Sequence, residues 1–534
     1  MNTLPTLFDV NASYGKGAMG APEFATIADR IAHMDRLGIA RAVVWNVESR
    51  QHHALASNDT LLDDIARTPG AADRIVPALA ISPIMLYERD GVAQLRRQIE
   101  GPRARALRFT RCLTGLTLAQ IAPVMERIRD LRPVLCLRHD ESDARDIADL
   151  ATAFPEVHVV LADIIWGRCL FAFDLMRRHK NVLMESSWLH TFDATELLVR
   201  HFGAERLVFG TGYRSHNGAS IAALARAAIS PEDREKIAHG NLDRLLGLPP
   251  AAPAAAPARR GRRLWPAFLT GEPLAVDVVD AHGHIGPSGG YVLEAQREAD
   301  QIPLALRAME RIGVGTMVCS GLSALLSAPV AGNDQLEALL RPHAGRLAGY
   351  VAFNPHYAGE LVAQLDRYFS GSVFVGFKLL CGYWGVTITD PRLAPMWEYA
   401  ERRRLPVLAH TWNGPLDSPA LLKDMVRKYP NVSFILGHSG GGDPGRREAE
   451  ELAAANPNVY LEWCGSFCST IRWEETLTRV DPSRILFGTD AMAHDIVWEL
   501  GRLLSVDAPD EILTPILGAN MRGILSRRRT SPAT

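Results

Sequence analysis

Short apolar runs rich in Val, Ile and Leu alternate with longer stretches whose apolar positions recur every three or four residues, and the alternation continues along the whole chain. The short runs fit strands buried on both faces, and the longer stretches fit helices that cover them. In the second half the runs predict strands over 275–279, 316–319, 373–379, 406–409, 432–436, 459–461 and 484–487, with helical stretches over 395–404 and 419–428. Alternating β and α elements argue for a parallel sheet with helical crossovers. About eight units per half favour a closed barrel. Neither half opens with the Gly-x-Gly-x-x-Gly turn of an open, doubly wound sheet. The expected fold class is therefore α/β, as two tandem (β/α)8 barrels of the TIM type.

The division into two follows from a linker and a repeat. Residues 249–264 read Pro-Pro-Ala-Ala-Pro-Ala-Ala-Ala-Pro-Ala-Arg-Arg-Gly-Arg-Arg-Leu, a low-complexity stretch that cannot bury a core and reads as a solvated tether. It separates a first domain, 1–248, from a second, 265–534, each the usual length of such a barrel. The halves also match each other. Asp9-Val10-Asn11-Ala12-Ser13 answers Asp280-Ala281-His282-Gly283-His284, and Met34-Asp35-Arg36-Leu37-Gly38 answers Met309-Glu310-Arg311-Ile312-Gly313. Pro133-Val134-Leu135 answers Pro406-Val407-Leu408, and Phe209-Gly210-Thr211 answers Phe487-Gly488-Thr489. The offset stays between 270 and 279 residues throughout, the mark of an internal duplication.

Composition narrows the class without naming a chemistry. The 534 residues are 47% hydrophobic and 22% charged with a net charge of −2, which points to neither nucleic acid nor a membrane surface as partner. The apolar runs fall well short of the ~20 residues that cross a bilayer. Residues 1–5 show no charged and apolar leader, and the seven cysteines form no regular frame, so a cytoplasmic chain with reduced thiols is expected.

The candidate chemistry lies in the second half. His282 and His284 lie two apart at the first strand, where residues i and i+2 share a face. His410, His438 and Asp490 each follow a later predicted strand. In a (β/α)8 barrel the C-terminal strand ends face one mouth, so these five groups are expected to converge there. Imidazole and carboxylate together suit a divalent ion such as zinc. Lys378, on the fourth strand, is a candidate to pair with a barrel carboxylate or the substrate. Glu462 on the seventh strand either orients a ligand or forms a structural ion pair. Trp384 and Trp412 are candidates for the wall of the substrate cleft.

Five segments in order, Asp-Ala-His-Gly-His-Ile-Gly (280–286), Gly-Phe-Lys-Leu (376–379), Pro-Val-Leu-Ala-His-Thr (406–411), Leu-Gly-His-Ser-Gly (436–440) and Leu-Phe-Gly-Thr-Asp (486–490), resemble the signatures of the amidohydrolase superfamily. The nearest resemblance is to the branch that includes aminocarboxymuconate-semialdehyde decarboxylase. It implies one divalent ion, zinc in that branch, held by His282, His284, His410 and Asp490, with His438 and Asp490 as the catalytic groups. The resemblance also offers Lys378 a second role, since some members of the superfamily carboxylate a fourth-strand lysine to bridge two metals. That branch, however, follows the lysine with His-Pro, where this chain has Leu380-Cys381.

The resemblance implies a metal-dependent hydrolase acting through activated water on a small carbonyl-containing substrate. Non-oxidative decarboxylation at the same metal is the alternative, and a non-catalytic binding or scaffold protein is a third reading. In the first half the corresponding positions are Asn11, Ser13, Leu137, Asp163 and Gly212, with Arg108 for Lys378. That half is expected to be a metal-free pseudoenzyme domain, paired with the second as an intramolecular pseudo-dimer. Homo-oligomers remain open. Asn11, Ser13, Arg108, Arg138, His139, Asp163 and Glu185 still line its mouth, either as leftovers or as a site for an anionic ligand.

Overall fold

The computed structural model describes residues 5–18, 21–101, 105–111, 115–212, 216, 218–254, 261–287, 289–290, 292–465 and 468–529. The chain divides into two compact units, residues 1–259 and 260–534. Of the predicted linker, 255–260 lie outside the described residues, while its last residues are held by the second unit. The Asp510 carboxylate accepts hydrogen bonds from the backbone N–H groups of Arg263 (2.6 Å) and Leu264 (3.0 Å).

The first unit is an eight-stranded parallel sheet in sequential order: β1 Leu7–Tyr14, β2 Ile39–Asn46, β3 Ile75–Ile81, β4 Ala106–Phe109, β5 Val134–Arg138, β6 His158–Ala162, β7 Val182–Glu185 and β8 Leu207–Val208. The second repeats it: β9 Val278–Ile285, β10 Val314–Gly321, β11 Leu347–Ala352, β12 Phe374–Leu379, β13 Pro406–His410, β14 Ser433–Gly437, β15 Val459–Trp463 and β16 Ile485–Phe487. Helical crossovers link the strands, as parallel pairing requires. In the first unit the Val10 N–H reaches the Phe209 carbonyl, and in the second Gly283 bridges Ala491, so each sheet returns to its first strand.

The floor of the second barrel is one apolar layer. Val279 and Ala281, Val318, Tyr350, Val375, Leu408, Ile435, Tyr460 and Leu486 represent all eight strands, closed below by Met521 and Ile524 of the helix Asn520–Ser526. Two residues beyond Leu408, Tyr460 and Leu486, the same strand face carries His410, Glu462 and Gly488 at the mouth.

The first strand needs a further device. The sequence places it over 275–279, ahead of the histidines, whereas β9 runs from Val278 through both of them. Between Asp280 and Gly283 it takes three steps while β10 takes two, from Met317 to Cys319. Such a bulge re-aims the side chains that follow it. It leaves Val279 and Ala281 in the floor and turns His282 and His284 to the mouth. β1 has the same irregularity between Asp9 and Ala12. The stretch 419–428 forms a 3-10 turn, Pro419–Leu422, and a short helix, Met425–Lys428, instead of one helix. Among the described residues, no helix is long and apolar enough to cross a membrane.

Candidate metal centre

A carboxylate clasp brings the two ends of the second barrel together. Asp280 Oδ1 accepts hydrogen bonds from the backbone N–H of His282 (3.0 Å) and of Thr489 (3.1 Å), and Oδ2 accepts from the Thr489 hydroxyl. Burial pushes the Asp280 carboxyl up to about 8. The clasp fixes Asp490 beside the first strand, where its N–H reaches the His282 carbonyl at 2.6 Å. Asp490 adopts a left-handed φ of +57°, a turn that Asp tolerates better than most residues.

Asp490 Oδ1 then lies 2.9 Å from His284 Nε2 and 3.4 Å from His282 Nε2. The other ring nitrogens are held from behind. His282 Nδ1 is 2.9 Å from Glu462 Oε2, and His284 Nδ1 is 2.8 Å from Ser320 Oγ. Bonds of this kind fix tautomer and ring plane and leave Nε2 as a lone-pair donor. Donor atoms of His282, His284 and Asp490 all fall within 4.8 Å of one another. Burial lowers the basicity of both imidazoles, His282 the more strongly. Burial works against an ionised Asp490, yet the surrounding His282, His284 and His494 hold its pKa well below the usual carboxylate range. Two neutral imidazoles facing one carboxylate is the protonation state a divalent cation requires. The residues present therefore fit the ion that the sequence implies.

Lys378 belongs to the same cluster. Its Nζ lies 2.6 Å from His282 Nε2, and burial brings its pKa down to about 8 against the pull of Asp490 and Glu462.

His438 and His410 complete a row of rings. His438 follows β14 in a left-handed conformation (φ +61°), its N–H donating to Glu462 Oε2 at 3.0 Å. Its Nδ1 lies 3.2 Å from the Cys464 carbonyl oxygen, which assigns the proton to Nδ1 and leaves Nε2 bare. The His438 ring centre is 5.0 Å from that of His282 and 4.9 Å from that of His410. His410 stands outside the His282–His284–Asp490 group, its Nδ1 3.0 Å from Asp417 Oδ2. Trp412 stacks on its ring at 5.7 Å and Tyr383 meets it edge-on at 5.4 Å. Trp384 instead donates its indole N–H to the Leu325 carbonyl and packs on a small apolar cluster.

Several neighbours carry no signal in the sequence. Cys464 Sγ lies 3.4 Å from His282 Nδ1 and 3.6 Å from His438 Nδ1, and burial holds its thiol well above the usual range, in the protonated form. His494 Nδ1 is 3.2 Å from Glu499 Oε1 and 3.9 Å from Asp490 Oδ2. Their spacing matches no motif, and only the fold brings them to the mouth.

The first barrel keeps the scaffold of this site and replaces its chemistry. Asp9 repeats the clasp on Asn11 N and Thr211, with Arg30 as an added partner at 3.0 Å. Glu185 Oε2 accepts from Asn11 Nδ2 (3.3 Å) and Asp163 N (3.0 Å), the bonds Glu462 makes to His282 and His438. Asp163 shares the left-handed turn of His438, at φ +54°. One correspondence shifts. The ladder pairs Arg138 with Ala162 as it pairs His410 with Gly437, so Arg138, not Leu137, stands at the His410 position. Strand side chains alternate, and Leu137 faces away from the mouth into the apolar layer outside the sheet. Among the described residues, the groups of three or more His, Cys, Asp or Glu side chains able to hold a metal all lie in the second unit.

Comparison with known proteins gives matches on both halves. A family model described as amidohydrolase matches residues 12–248 and again 279–524. Protein fluG of Emericella nidulans is 36% identical over 97 residues, a stretch covering 16% of this chain and 11% of that relative. Among solved structures, 2,6-dihydroxybenzoate decarboxylase from Rhizobium is similar at 18% identity and a TM-score of 0.38, over 47% of this chain and 99% of that one. A 5-carboxyvanillate decarboxylase from Sphingomonas paucimobilis is similar at 12% identity and a TM-score of 0.38, over 47% of this chain and 99% of that one.

Proposed function

The chain belongs to the amidohydrolase family, and from that premise we propose that its second barrel is a divalent-metal-dependent hydrolase of small carbonyl-containing molecules. One observation carries this reading. His282 and His284 turn Nε2 onto a single Asp490 oxygen while Glu462 and Ser320 hold their Nδ1 atoms from behind. His410, oriented by Asp417, is the fourth candidate ligand. Zinc is the ion this donor set suits best. When bound, such an ion polarises a carbonyl oxygen and lets water ionise near neutral pH.

The chain's own residues supply the rest. His438, with its proton on Nδ1, offers Nε2 to take a proton from water and return it to the leaving group. Lys378 supplies a positive charge in the mouth to orient an anionic group of the substrate. Trp412 and Tyr383 form apolar walls beside His410. Catalysis belongs to the second barrel, since the first has Asn11, Ser13, Arg138, Asp163 and Gly212 at the corresponding positions.

Lys378 also favours a second reading. A lysine buried among the candidate ligands is a receptor for a carboxylate, and the same His438 can carry a proton to carbon as carbon dioxide leaves. Non-oxidative decarboxylation would need no further cofactor. A screen of lactones, amides and carboxylates in water labelled with heavy oxygen separates the two. Hydrolysis puts the label into the product. Release of carbon dioxide with no label at the broken bond would overturn the hydrolase reading in favour of the lyase.

A further inference from the structure

The mouth of the first barrel holds an arginine whose donors exceed what surrounds it. Arg108 stands at the fourth-strand position that Lys378 holds in the second barrel, paired to Ala80 and Cys136 as Lys378 is to Ala352 and Leu408. Its side chain is 1% exposed. A guanidinium carries five N–H donors in a fixed plane. Among the described residues, those of Arg108 meet one acceptor, Glu141 Oε2, at 3.4 Å from Nη2, and its buried Nε meets none.

Trp45 covers one face of the group, its ring centre 4.7 Å from the guanidinium carbon. Glu141 is a weak counter-charge. Its Oε2 is shared with the Arg138 backbone N–H at 2.9 Å, and its Oε1 is buried without a hydrogen-bond partner. Burial raises the Glu141 pKa against the pull of Arg108. Arg138, the other cation at this mouth, is paired with Asp140 at 3.0 Å and Asp163 at 3.8 Å. His139 Nδ1 and Asn11 Oδ1 are also buried without hydrogen-bond partners among the described residues.

A buried cation with unfilled donors is costly unless something completes its shell. A planar oxyanion does so best, taking two parallel N–H bonds from the guanidinium fork. We propose that the mouth of the first barrel is a receptor for a small carboxylate, gripped by Arg108 over the Trp45 ring without a metal. His139 and Asn11 then meet polar groups on the rest of that molecule. The cation stands where the second barrel has Lys378, so the duplicated mouth keeps a positive charge while its metal ligands are replaced. This inference rests on the first barrel alone, apart from any reading of the second.

Calorimetric titration of the full chain with acetate, glycolate and succinate at constant ionic strength tests it. Saturable binding is expected for at least one of them, and Arg108→Met should weaken it by roughly ten-fold or more, the usual size of a charge-assisted pair. Arg108→Lys keeps the charge but not the fork and should weaken it less. It also carries the test if Arg108→Met does not fold. Asp490→Ala should leave the Arg108-dependent binding unchanged, because that ligand sits outside the metal centre. Binding unaffected by both Arg108 substitutions would overturn the proposal. So would loss of the Arg108-dependent binding with Asp490→Ala, or no saturable binding by any of the three acids.

Discussion

Glu185 and Glu462 make the same two hydrogen bonds in barrels whose mouths otherwise differ. Each carboxylate accepts one bond from the first-strand side chain, Asn11 or His282, and one from the backbone N–H after the sixth strand, at Asp163 or His438. The glutamate is thus part of the scaffold in both halves, and in the second the residue it holds is His282, the proposed metal ligand.

That shared role depends on a glycine. A Cβ at Gly488 would collide with the Glu462 carboxylate, and one at Gly210 with that of Glu185. Both Gly488→Ala and Gly210→Ala should destabilise by about 1–3 kcal/mol, the usual cost of overpacking. Gly488→Ala should also lose metal, whereas Gly210→Ala should keep it. Chemical denaturation with elemental analysis checks both, and full metal occupancy in Gly488→Ala would separate Glu462 from ligand positioning.

Substitution of His438 tests the proposed separation of chemistry from metal binding. His438→Asn should retain the ion and lose turnover by ~10²–10⁴-fold, the usual contribution of a positioned base. Loss of the ion with the activity would make His438 a ligand instead, and unchanged turnover would leave it a structural residue.

Glu185 gives the first barrel a pH signature. Burial and the neighbouring Asp163 carboxylate hold its carboxyl up, from 4.5 to about 8, against donors such as Ser187 that favour the ionised form. The folded chain therefore keeps a proton that the unfolded chain releases between those values. Its contribution to stability is fully present below 4.5 and is lost as pH rises toward 8. Asp280 in the second barrel has the same sign, so the comparison that matters is with Glu185→Gln. Urea denaturation between those pH values should show a shallower fall in stability for that variant than for the wild type. Parallel slopes would mean that Glu185 is ionised in the fold.

Much of this was legible in the sequence, because barrels announce themselves locally. Apolar runs mark the strands, and a His or Asp just beyond a run marks the mouth, as at His410 and Asp490. What escaped depends on contacts between distant segments. The bulge after Asp280 has no sequence signal, and neither has the Asp417 carboxylate behind His410 or the Cys464 thiol beside His282. The displacement from Leu137 to Arg138 has a similar cause: a motif aligned by its Pro-Val-Leu core carries the register of that core, and only the ladder to β6 shows which residue faces inward.

Elemental analysis of the purified full chain decides whether the second barrel alone builds a metal centre. One tightly held divalent ion per chain is expected, zinc first, lost together with turnover in Asp490→Ala and retained in Arg138→Ala. An Asp490→Ala protein that keeps both its ion and its turnover would show that Asp490 holds no metal and that the site lies elsewhere.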